Sequence, residues 1–400
     1  MPARIDPLRI SAWTVQSAVG DRAQTLAAVR ARRTGLRPND FGKEPIATWI
    51  GRVPHLESPL PTALQRWDCR NNRLAWRALV SDGFHEAVAR AIATYGADRI
   101  AVIVGTSTSS IGASEEAYCR LDDQGQYPPD LRRPIIHTPH SLGDFVQQAL
   151  ALKNICVTVA TACSSSAKVF AQAERMLRLG LADAAVVGGV DTLCGSVLFG
   201  FNSLELVSSE LCKPFDAHRN GINLGEAGGF ALLERRTGIE SEGGPLLVGY
   251  GESSDAYHMS SPHPEGVGAR IAIQDALARA DLAAEQIDYI NLHGTASRKN
   301  DEVEAAVVAA IFPNTTFASS TKGWTGHTLG AAGMVEAAMC WLALESGEMP
   351  GTLNTDTLDP LCGPQIQRAN EQRNAHHALS FSFGFGGSNC VLAFSRGAAT

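Results

Sequence analysis

Short apolar runs alternate with longer amphipathic stretches along most of this 400-residue chain. The strand-length runs end in clusters of Gly, Ser, Thr or Asn, and the longer stretches between them have helical spacing. This alternation predicts a mixed α/β fold with buried parallel strands. The predicted strands are residues 100–104, 155–160, 184–187, 287–292, 379–383 and 390–394, the last two as a hairpin. The clearest predicted helices are residues 164–179, 300–312 and 330–344.

The alternation is interrupted near residues 237–245, where Gly, Ser and Glu collect. A domain boundary at this point would divide the chain into residues 1–240 and residues 241–400. We find no direct sequence repeat between these two parts. Residues 36–62 are rich in Pro and Gly, which predicts an irregular surface excursion.

The composition narrows the range of functions. Apolar residues make up 44% of the chain and charged residues 19%, as in ordinary soluble globular proteins. A net charge of −7 argues against binding nucleic acid through bulk charge. No apolar run is long enough for a membrane span or a signal peptide. The nine cysteines lack metal-ligand spacing, so we expect reduced thiols in a cytoplasmic enzyme without a metal site.

The first candidate for chemistry is Cys163, which lies between a predicted strand and a predicted helix. A thiol at a helix N-terminus lies near free N–H groups and the positive end of the helix dipole, and both stabilise a thiolate. The same strand-to-helix turn exposes nucleophiles in other α/β enzymes. The alternative is a buried structural cysteine, which is the more common state of a free thiol.

Two histidines are the next candidates. His293 ends a predicted strand, and His327 follows Lys322 by five residues and precedes a small-residue helix start, Gly-Ala-Ala-Gly. Each histidine could also be structural, and the small residues could serve only tight helix packing. Two neutral imidazoles can, however, both donate hydrogen bonds to one developing oxyanion.

Two glycine-rich segments complete the set of candidates. Residues 383–389 (FGFGGSN) form a turn that no helix follows, so a phosphate-binding role is not indicated. Residues 213–229 contain Asp216, Arg219 and Glu226 among glycines, which favours buried ion pairs that order a loop over direct catalysis.

Taken together, five motifs in this order resemble the β-ketoacyl-acyl-carrier-protein synthases of the thiolase-like superfamily. They are TACSSS, PFDAHRNGINLGEAGG, NLHGTASRKND, KGWTGHTLGAAG and SFGFGGSN. The resemblance runs from about residue 100 to residue 389. It implies two similar halves in a layered α-β-α-β-α architecture, with the nucleophilic cysteine in the first half. The second half would carry both histidines and the glycine-rich loop.

The resemblance also assigns roles in a decarboxylative Claisen condensation with malonyl-acyl carrier protein. Cys163 would accept the acyl group, and His293 and His327 would bind the malonyl thioester carbonyl and support decarboxylation. Lys322 would order the second histidine. The backbone N–H groups of Cys163 and Phe385 would form the oxyanion hole, and Phe385 would gate the acyl pocket.

Further positions follow from the same resemblance. Asp301, Glu304 and Glu336 would form a supporting network. Thr295 and Ser297 would bind the phosphopantetheine arm, which arrives on the carrier protein, so that no free cofactor is needed. Thr108 would limit the acyl pocket. Ser297, Lys213 and Asn220 differ from the residues common in the family, which puts the salt bridges of the inner loop in doubt.

The expected partners are an acyl carrier protein and a second subunit, either an identical chain or a ketosynthase-like paralogue. Arg66, Arg132 and Arg133 are candidates for docking the acidic carrier protein, although they could equally be solvated surface charges. Residues 68–75, the turn from Gly105 and the nucleophile motif favour the aryl polyene subgroup. Two alternatives are a non-catalytic chain-length partner of a ketosynthase and a thiolase-type enzyme acting on acyl-coenzyme A.

Overall fold

The computed structural model describes residues 2–236 and 244–397. The described strands are β1 (Leu8–Gln16), β2 (Arg37–Pro38), β3 (Trp49–Gly51), β4 (Ile100–Gly105), β5 (Cys156–Val159), β6 (Ala184–Asp191), β7 (Leu224–Gly225), β8 (Ala227–Arg235), β9 (Pro245–Ser254), β10 (Tyr289–Asn291), β11 (Phe317–Ser319), β12 (Glu348–Met349), β13 (Glu371–Gln372), β14 (His377–Gly384) and β15 (Ser388–Arg396). The described helices are α1 (Arg22–Arg30), α2 (Arg70–Leu79), α3 (Phe84–Tyr95), α4 (Ile111–Tyr118), α5 (Ser141–Ala149), α6 (Ser165–Arg178), α7 (Gly195–Ser203), α8 (Val267–Ala280), α9 (Arg298–Ile311), α10 (Lys322–Thr325) and α11 (Ala332–Ser346).

Ten strands form one sheet in the order β11-β10-β14-β15-β9-β1-β8-β6-β4-β5. The sheet consists of two five-stranded halves that meet where β1 pairs with β9. If the five strands of each half are numbered 1 to 5 in chain order, both halves have the strand order 3-2-4-5-1 from the outer edge of the sheet to the junction between β1 and β9. In both, strand 2 is parallel to strands 3 and 4, and strand 5 is antiparallel to strands 4 and 1. The chain therefore contains a structural duplication that its sequence does not display.

Alternate residues of the central strands face different hydrophobic cores. In β4, Ala101 and Ile103 face the core that contains α6 and α11, whereas Ile100, Val102 and Val104 face the core that contains α2, α3 and α5. This is the two-residue period expected of a strand buried on both faces. In the second half, α8 and α9 cover the face opposite α11.

The helices and the two halves of the sheet consequently form five layers. Helices α6 and α11 pack together in the middle layer. Both central helices are buried along almost their whole length, and 13 of the 15 residues of α11 are buried. The predicted layered α-β-α-β-α architecture with two similar halves is confirmed.

The elements predicted from the sequence lie within a few residues of the observed ones, with two differences. Strand β5 was expected to be buried, but its four residues are half-buried because it lies at the edge of the sheet. The segment 36–62 is not wholly a surface excursion, since β3 pairs with β7 and Ile50 is fully buried. The proposed boundary near residue 240 lies outside the described residues, so that division stays a prediction.

None of the helices in the described part of the chain is long and apolar enough to cross a membrane.

Candidate active site

The turn that carries Cys163 is sharply bent. It joins the end of β5 to the start of α6, and Ala162 within it has a φ of 51°, which is unusual for a residue other than glycine. The Ser165 hydroxyl holds the turn, because it accepts the Thr161 N–H at 2.9 Å and donates to the Ala162 carbonyl at 2.6 Å. Cys163 is buried and directly precedes the N-cap residue of α6.

Cys163, His293 and His327 converge on one point. One ligand atom from each side chain lies within 4.8 Å of the other two. The two imidazole rings are perpendicular, with their centroids 5.4 Å apart, and both are buried. His293 comes from the end of β10, whereas His327 follows α10, so residues that are far apart in the sequence meet as expected.

The tautomer of His327 follows from its hydrogen bonds. Its Nδ1 accepts the backbone N–H of Leu329 at 3.0 Å, so the ring proton lies on Nε2. Burial, followed by the charge of Lys322, lowers the pKa of His327 well below its usual value. His327 is therefore a neutral imidazole with Nε2–H available to donate.

His293 is oriented by an ion pair beneath it. The Lys322 ammonium lies 3.4 Å from His293 Nδ1, donates to the His293 carbonyl and pairs with Glu336. Glu336 also accepts a hydrogen bond from the Ser382 hydroxyl at 3.1 Å. Since the ammonium can only donate, His293 Nδ1 is the acceptor and its Nε2 carries the ring proton.

Two expectations about these residues need correction. Lys322 was expected to order His327, but its contacts are to His293 and Glu336, because the short helix α10 directs its side chain under β10. The helix N-terminus was expected to stabilise a Cys163 thiolate. Burial instead raises the pKa of Cys163 to about 11, although the Phe385 N–H and the Lys322 charge act to lower it. Desolvation therefore outweighs those contributions in this closed site.

Asp301 and Glu304 hold the backbone around His293. Glu304 accepts the N–H groups of His293 and Gly294, each at 2.7 Å, and Asp301 accepts that of Thr295 at 3.0 Å. Burial raises the pKa of Asp301 to about 6 and that of Glu304 to about 8, although these N–H donors lower both values. Asp301 and Glu304 therefore fix the backbone from His293 to Thr295, and their supporting role in the reaction stays a prediction.

The segment expected to form buried ion pairs does so, but with distant partners. Arg219 pairs with Asp359 at 2.6 Å and lies 3.5 Å from Asp301. Glu226 pairs with Arg70, and Asp216 accepts backbone N–H groups. The two unusual positions of this loop are accommodated locally. Lys213 pairs with Glu210 at 3.1 Å, and the Asn220 side chain accepts the Ser208 hydroxyl at 2.5 Å.

A pocket of about 490 Å³ opens onto Cys163 and both histidines. Thr295 and Ser297 line it, and their hydroxyl groups are 2.9 Å apart. Phe385 also lines it, and its backbone N–H is directed at the Cys163 sulfur. The Phe385 ring stacks on Phe201 of α7 with centroids 5.6 Å apart.

Phe201, Arg298 and Lys299 are among the pocket residues that were not identified from the sequence. Phe201 lies in an apolar helix without any polar motif that would have marked it. Arg298 and Lys299 are exposed at the rim of the pocket, and both belong to the NLHGTASRKND motif, so their position after Ser297 was the available signal.

Other predicted residues lie outside this pocket. Among the described residues, Thr108 does not line it, and its N–H and hydroxyl donate to the buried Asp191 at 3.1 and 2.8 Å. Arg66 is exposed and stacks on Trp67, and Arg132 is exposed. Arg133 is half-buried and donates to the Asp68 carbonyl at 2.8 Å.

Cys163, His293 and His327 are also the one group of metal-binding side chains found among the described residues. Thiolate and imidazole are ligands that zinc prefers. The Lys322 ammonium beside His293 opposes a bound cation, however, and the raised pKa of Cys163 disfavours the thiolate that a metal needs. The arrangement suits carbonyl binding and thiol chemistry better than metal binding.

Comparisons with known proteins agree with this geometry. Residues 68–238 match the family "Beta-ketoacyl synthase, N-terminal domain", and residues 246–356 match "Beta-ketoacyl synthase, C-terminal domain". Nodulation protein E of Rhizobium meliloti (strain 1021) is 32% identical over 309 residues, which cover 74% of this chain and 76% of the relative. The 3-oxoacyl-acyl-carrier-protein synthase 2 of Synechocystis sp. is 32% identical over 320 residues, 75% of this chain and 76% of the relative.

A solved structure extends the match to nearly the whole chain. One chain from the complex of the ketosynthase ApeO with its chain length factor ApeC, from Xenorhabdus doucetiae, is 35% identical to this protein. The two superpose with a TM-score of 0.89, and the match covers 98% of each chain.

Proposed function

Because the chain belongs to the β-ketoacyl synthase family, we propose that Cys163 is its acyl-accepting nucleophile and that His293 and His327 bind the thioester carbonyl of the extender unit. The chain itself is an acyltransferase that catalyses the ketosynthase condensation of fatty acid or polyketide elongation. This family needs no free cofactor, because phosphopantetheine arrives on the carrier protein.

In the first half-reaction, the sulfur of Cys163 attacks the carbonyl carbon of an acyl thioester. The phosphopantetheine sulfur leaves and takes up the thiol proton, so that an acyl-cysteine and a free carrier thiol result. The N–H groups of Cys163 and Phe385 stabilise the tetrahedral oxyanion. The Phe385 N–H already points at the sulfur in the free protein, which supports this role.

In the second half-reaction, the malonyl thioester oxygen accepts hydrogen bonds from Nε2–H of both histidines. Loss of carbon dioxide leaves its bonding electron pair on the α-carbon as an enolate, whose negative oxygen these two donors stabilise. The enolate carbon attacks the acyl-cysteine and expels the Cys163 sulfur, which takes a proton from solvent and restores the thiol. The neutral state of both imidazoles supports this role, because Nδ1 of each ring accepts a hydrogen bond and the one ring proton therefore lies on Nε2, which can donate to the substrate oxygen.

The observation that carries this proposal is the meeting of one sulfur and two imidazoles within 4.8 Å at the base of one pocket. The test is to measure condensation and malonyl decarboxylation separately, with purified protein and carrier-bound substrates. Cys163→Ala should abolish condensation and retain decarboxylation, whereas His327→Ala should lose both. If the unmodified protein neither decarboxylates nor condenses, the non-catalytic chain-length partner is favoured. Condensation from acyl-coenzyme A alone would favour a thiolase-type enzyme.

We further propose that an acyl carrier protein docks at the rim of this pocket. Arg298 and Lys299 are exposed there, and they present positive charge beside Ser297. The exposed Met259 and Tyr257 belong to the loop that holds the glycine-rich turn through the Gly386 N–H. Arg66, Arg132 and Arg133 remain candidate contacts at a greater distance from the pocket.

A second subunit is proposed on the evidence of strand β5. It is an edge strand, its residues are half-exposed and the neighbouring Ile155 is 43% exposed, so its free edge can pair with another chain. The partner would be an identical chain or a chain length factor, as in the ApeO–ApeC complex. That similarity also supports the aryl polyene subgroup.

We also propose that the two halves meet near residue 240, and that the protein works in the cytoplasm. The two family domains, residues 68–238 and 246–356, fall on either side of that position, which supports the first point. All nine cysteines are free, which fits a reducing compartment and supports the second.

A further inference from the structure

Helix α7 is held at its first turn by a side chain from another element. Glu115 of α4 accepts the N–H of Gly195 at 2.9 Å with one carboxylate oxygen and the N–H of Ser196 with the other. The N-cap residue of α7, Cys194, makes no side-chain cap of its own. Glu115 therefore satisfies two N–H groups that a helix start leaves unpaired, and its charge complements the helix dipole.

Few side chains of α7 are buried. Val197 and Leu198 are the two buried ones among its nine residues, and they pack in a small apolar cluster that includes Leu224 and Leu329 and on which Phe201 also packs. A short helix with so few buried side chains has low local stability. Its cap therefore contributes a large share of the free energy that keeps the helix folded.

The last turn of α7 reaches the reactive centre. Phe201 lines the pocket, stacks on the proposed gate Phe385 and lies 6.5 Å from His327, centroid to centroid. Phe201 is six residues after Gly195, which corresponds to about 9 Å along a helix, so Glu115 and the gate lie at opposite ends of α7.

We propose that Glu115 is a positioning residue, which keeps Phe201 against Phe385 by anchoring the start of α7 and so keeps the gate over Cys163 closed between substrates. This inference rests on the gating role proposed for Phe385. Loss of the Glu115 anchor lets α7 fray, and the stack of Phe201 on Phe385 then opens more often. Cys163 becomes more accessible to reagents, and an acyl group on it becomes more accessible to water.

The test measures two rates at fixed pH: alkylation of Cys163 by iodoacetamide, quantified on the peptide that contains it, and hydrolysis of the acyl-enzyme without malonyl substrate. Glu115→Ala should raise both by about fivefold, the effect expected from loss of one helix cap. Glu115→Gln retains an acceptor oxygen, so both of its rates should lie between those of the unmodified protein and those of Glu115→Ala. Glu116→Ala is the matched control, because Glu116 is exposed on the same helix, where it lies 4.0 Å from Arg120.

The double variant decides whether Glu115 acts through Phe201. Phe201→Ala alone should raise both rates, and adding Glu115→Ala should raise them no further. Additive effects, or a Glu115→Ala variant that lowers only the melting temperature, would overturn the inference. Phe385→Ala distinguishes failure of the proposed gate from failure of the role proposed for Glu115. If Phe385→Ala leaves both rates unchanged, the gate is wrong. If Phe385→Ala and Phe201→Ala raise both rates and Glu115→Ala does not, only the role of Glu115 is wrong.

Discussion

Gly333 on α11 lies directly against Ala167 on α6. A methyl group at Gly333 would be 2.8 Å from the Ala167 Cβ and 2.6 Å from its backbone nitrogen, closer than packed atoms can approach. Because α6 starts next to Cys163 and α11 follows His327, this contact sets the separation of the two reactive side chains.

Gly333→Ala should therefore disturb both stability and chemistry. The added methyl group has to displace one central helix, and such overpacking costs about 1–3 kcal/mol of the free energy of unfolding. We expect a lower urea midpoint together with a reduced condensation rate, because the sulfur moves away from the imidazoles. Gly200→Ala is the control, since it is helical, a methyl group there meets nothing within 4 Å, and its stability should be unchanged or higher. Equal midpoints for Gly333→Ala and the unmodified protein would contradict the packing argument.

The reactivity of Cys163 should rise with pH over the whole accessible range. Its pKa is raised to about 11 by burial, so only a small fraction is thiolate at neutral pH. The rate of Cys163 alkylation in the free protein should increase about tenfold per pH unit between pH 7 and 9. A plateau in that range would mean that the helix N-terminus and Lys322 have lowered the pKa after all.

Replacement of Lys322 tests the buried ion pair beneath His293. Lys322→Met leaves Glu336 buried without its partner, which should cost about 3–5 kcal/mol of the free energy of unfolding. The double variant Lys322→Met with Glu336→Gln removes both charges and should recover most of that loss. It should not recover malonyl decarboxylation, because His293 Nδ1 has lost its donor. Recovery of activity in the double variant would assign Lys322 a purely structural role.

Glu304 should make stability decline as pH rises. Its folded pKa of about 8 lies above the ordinary value of 4.5, so the folded state binds this proton more tightly than the unfolded chain. The resulting stabilisation is complete below pH 4.5 and is lost as pH rises through about 8. Glu304→Gln is neutral at every pH, so its melting temperature should depend less on pH between 5 and 8. Glu302→Gln, an exposed neighbour on the same helix, should retain the original dependence.

Charge reversal at the pocket rim tests carrier-protein docking. Lys299→Glu should raise the Michaelis constant for malonyl-carrier protein and leave that for malonyl-pantetheine unchanged, because only the carrier protein meets the surface. Lys43→Glu, at another exposed lysine, controls for net charge. The same comparison applied to Arg66→Glu and Arg132→Glu decides whether these more distant residues take part. If Lys299→Glu does not discriminate between the two substrates, docking at the pocket rim is wrong.

Site residues could be predicted from the sequence where they stand in a short local motif. Cys163 and His293 each follow the end of a strand within a short motif, and His327 stands in a motif together with Lys322. No motif indicated the partner of Lys322, because the contact between Lys322 and His293 depends on the packing of the folded chain. Phe201 was missed for a related reason: its role arises from α7 lying beside the glycine-rich turn, which no pattern within α7 encodes.

The burial of β5 and Cys163 also could not be predicted from the sequence alone. The apolar run around β5 is typical of a buried strand, but the order of strands leaves β5 at the edge. The thiol of Cys163 has a helix N-terminus beside it, yet the closed pocket, formed by residues from both halves, determines its pKa.

The repeated strand order places the reactive side chains in corresponding positions. Cys163 lies between the third strand of its half and the central helix α6, and His327 lies between the third strand of the other half and α11. The two positions carry different side chains, a thiol in the first half and an imidazole in the second. The repeated topology therefore brings two unlike groups to one pocket, and neither half alone holds both.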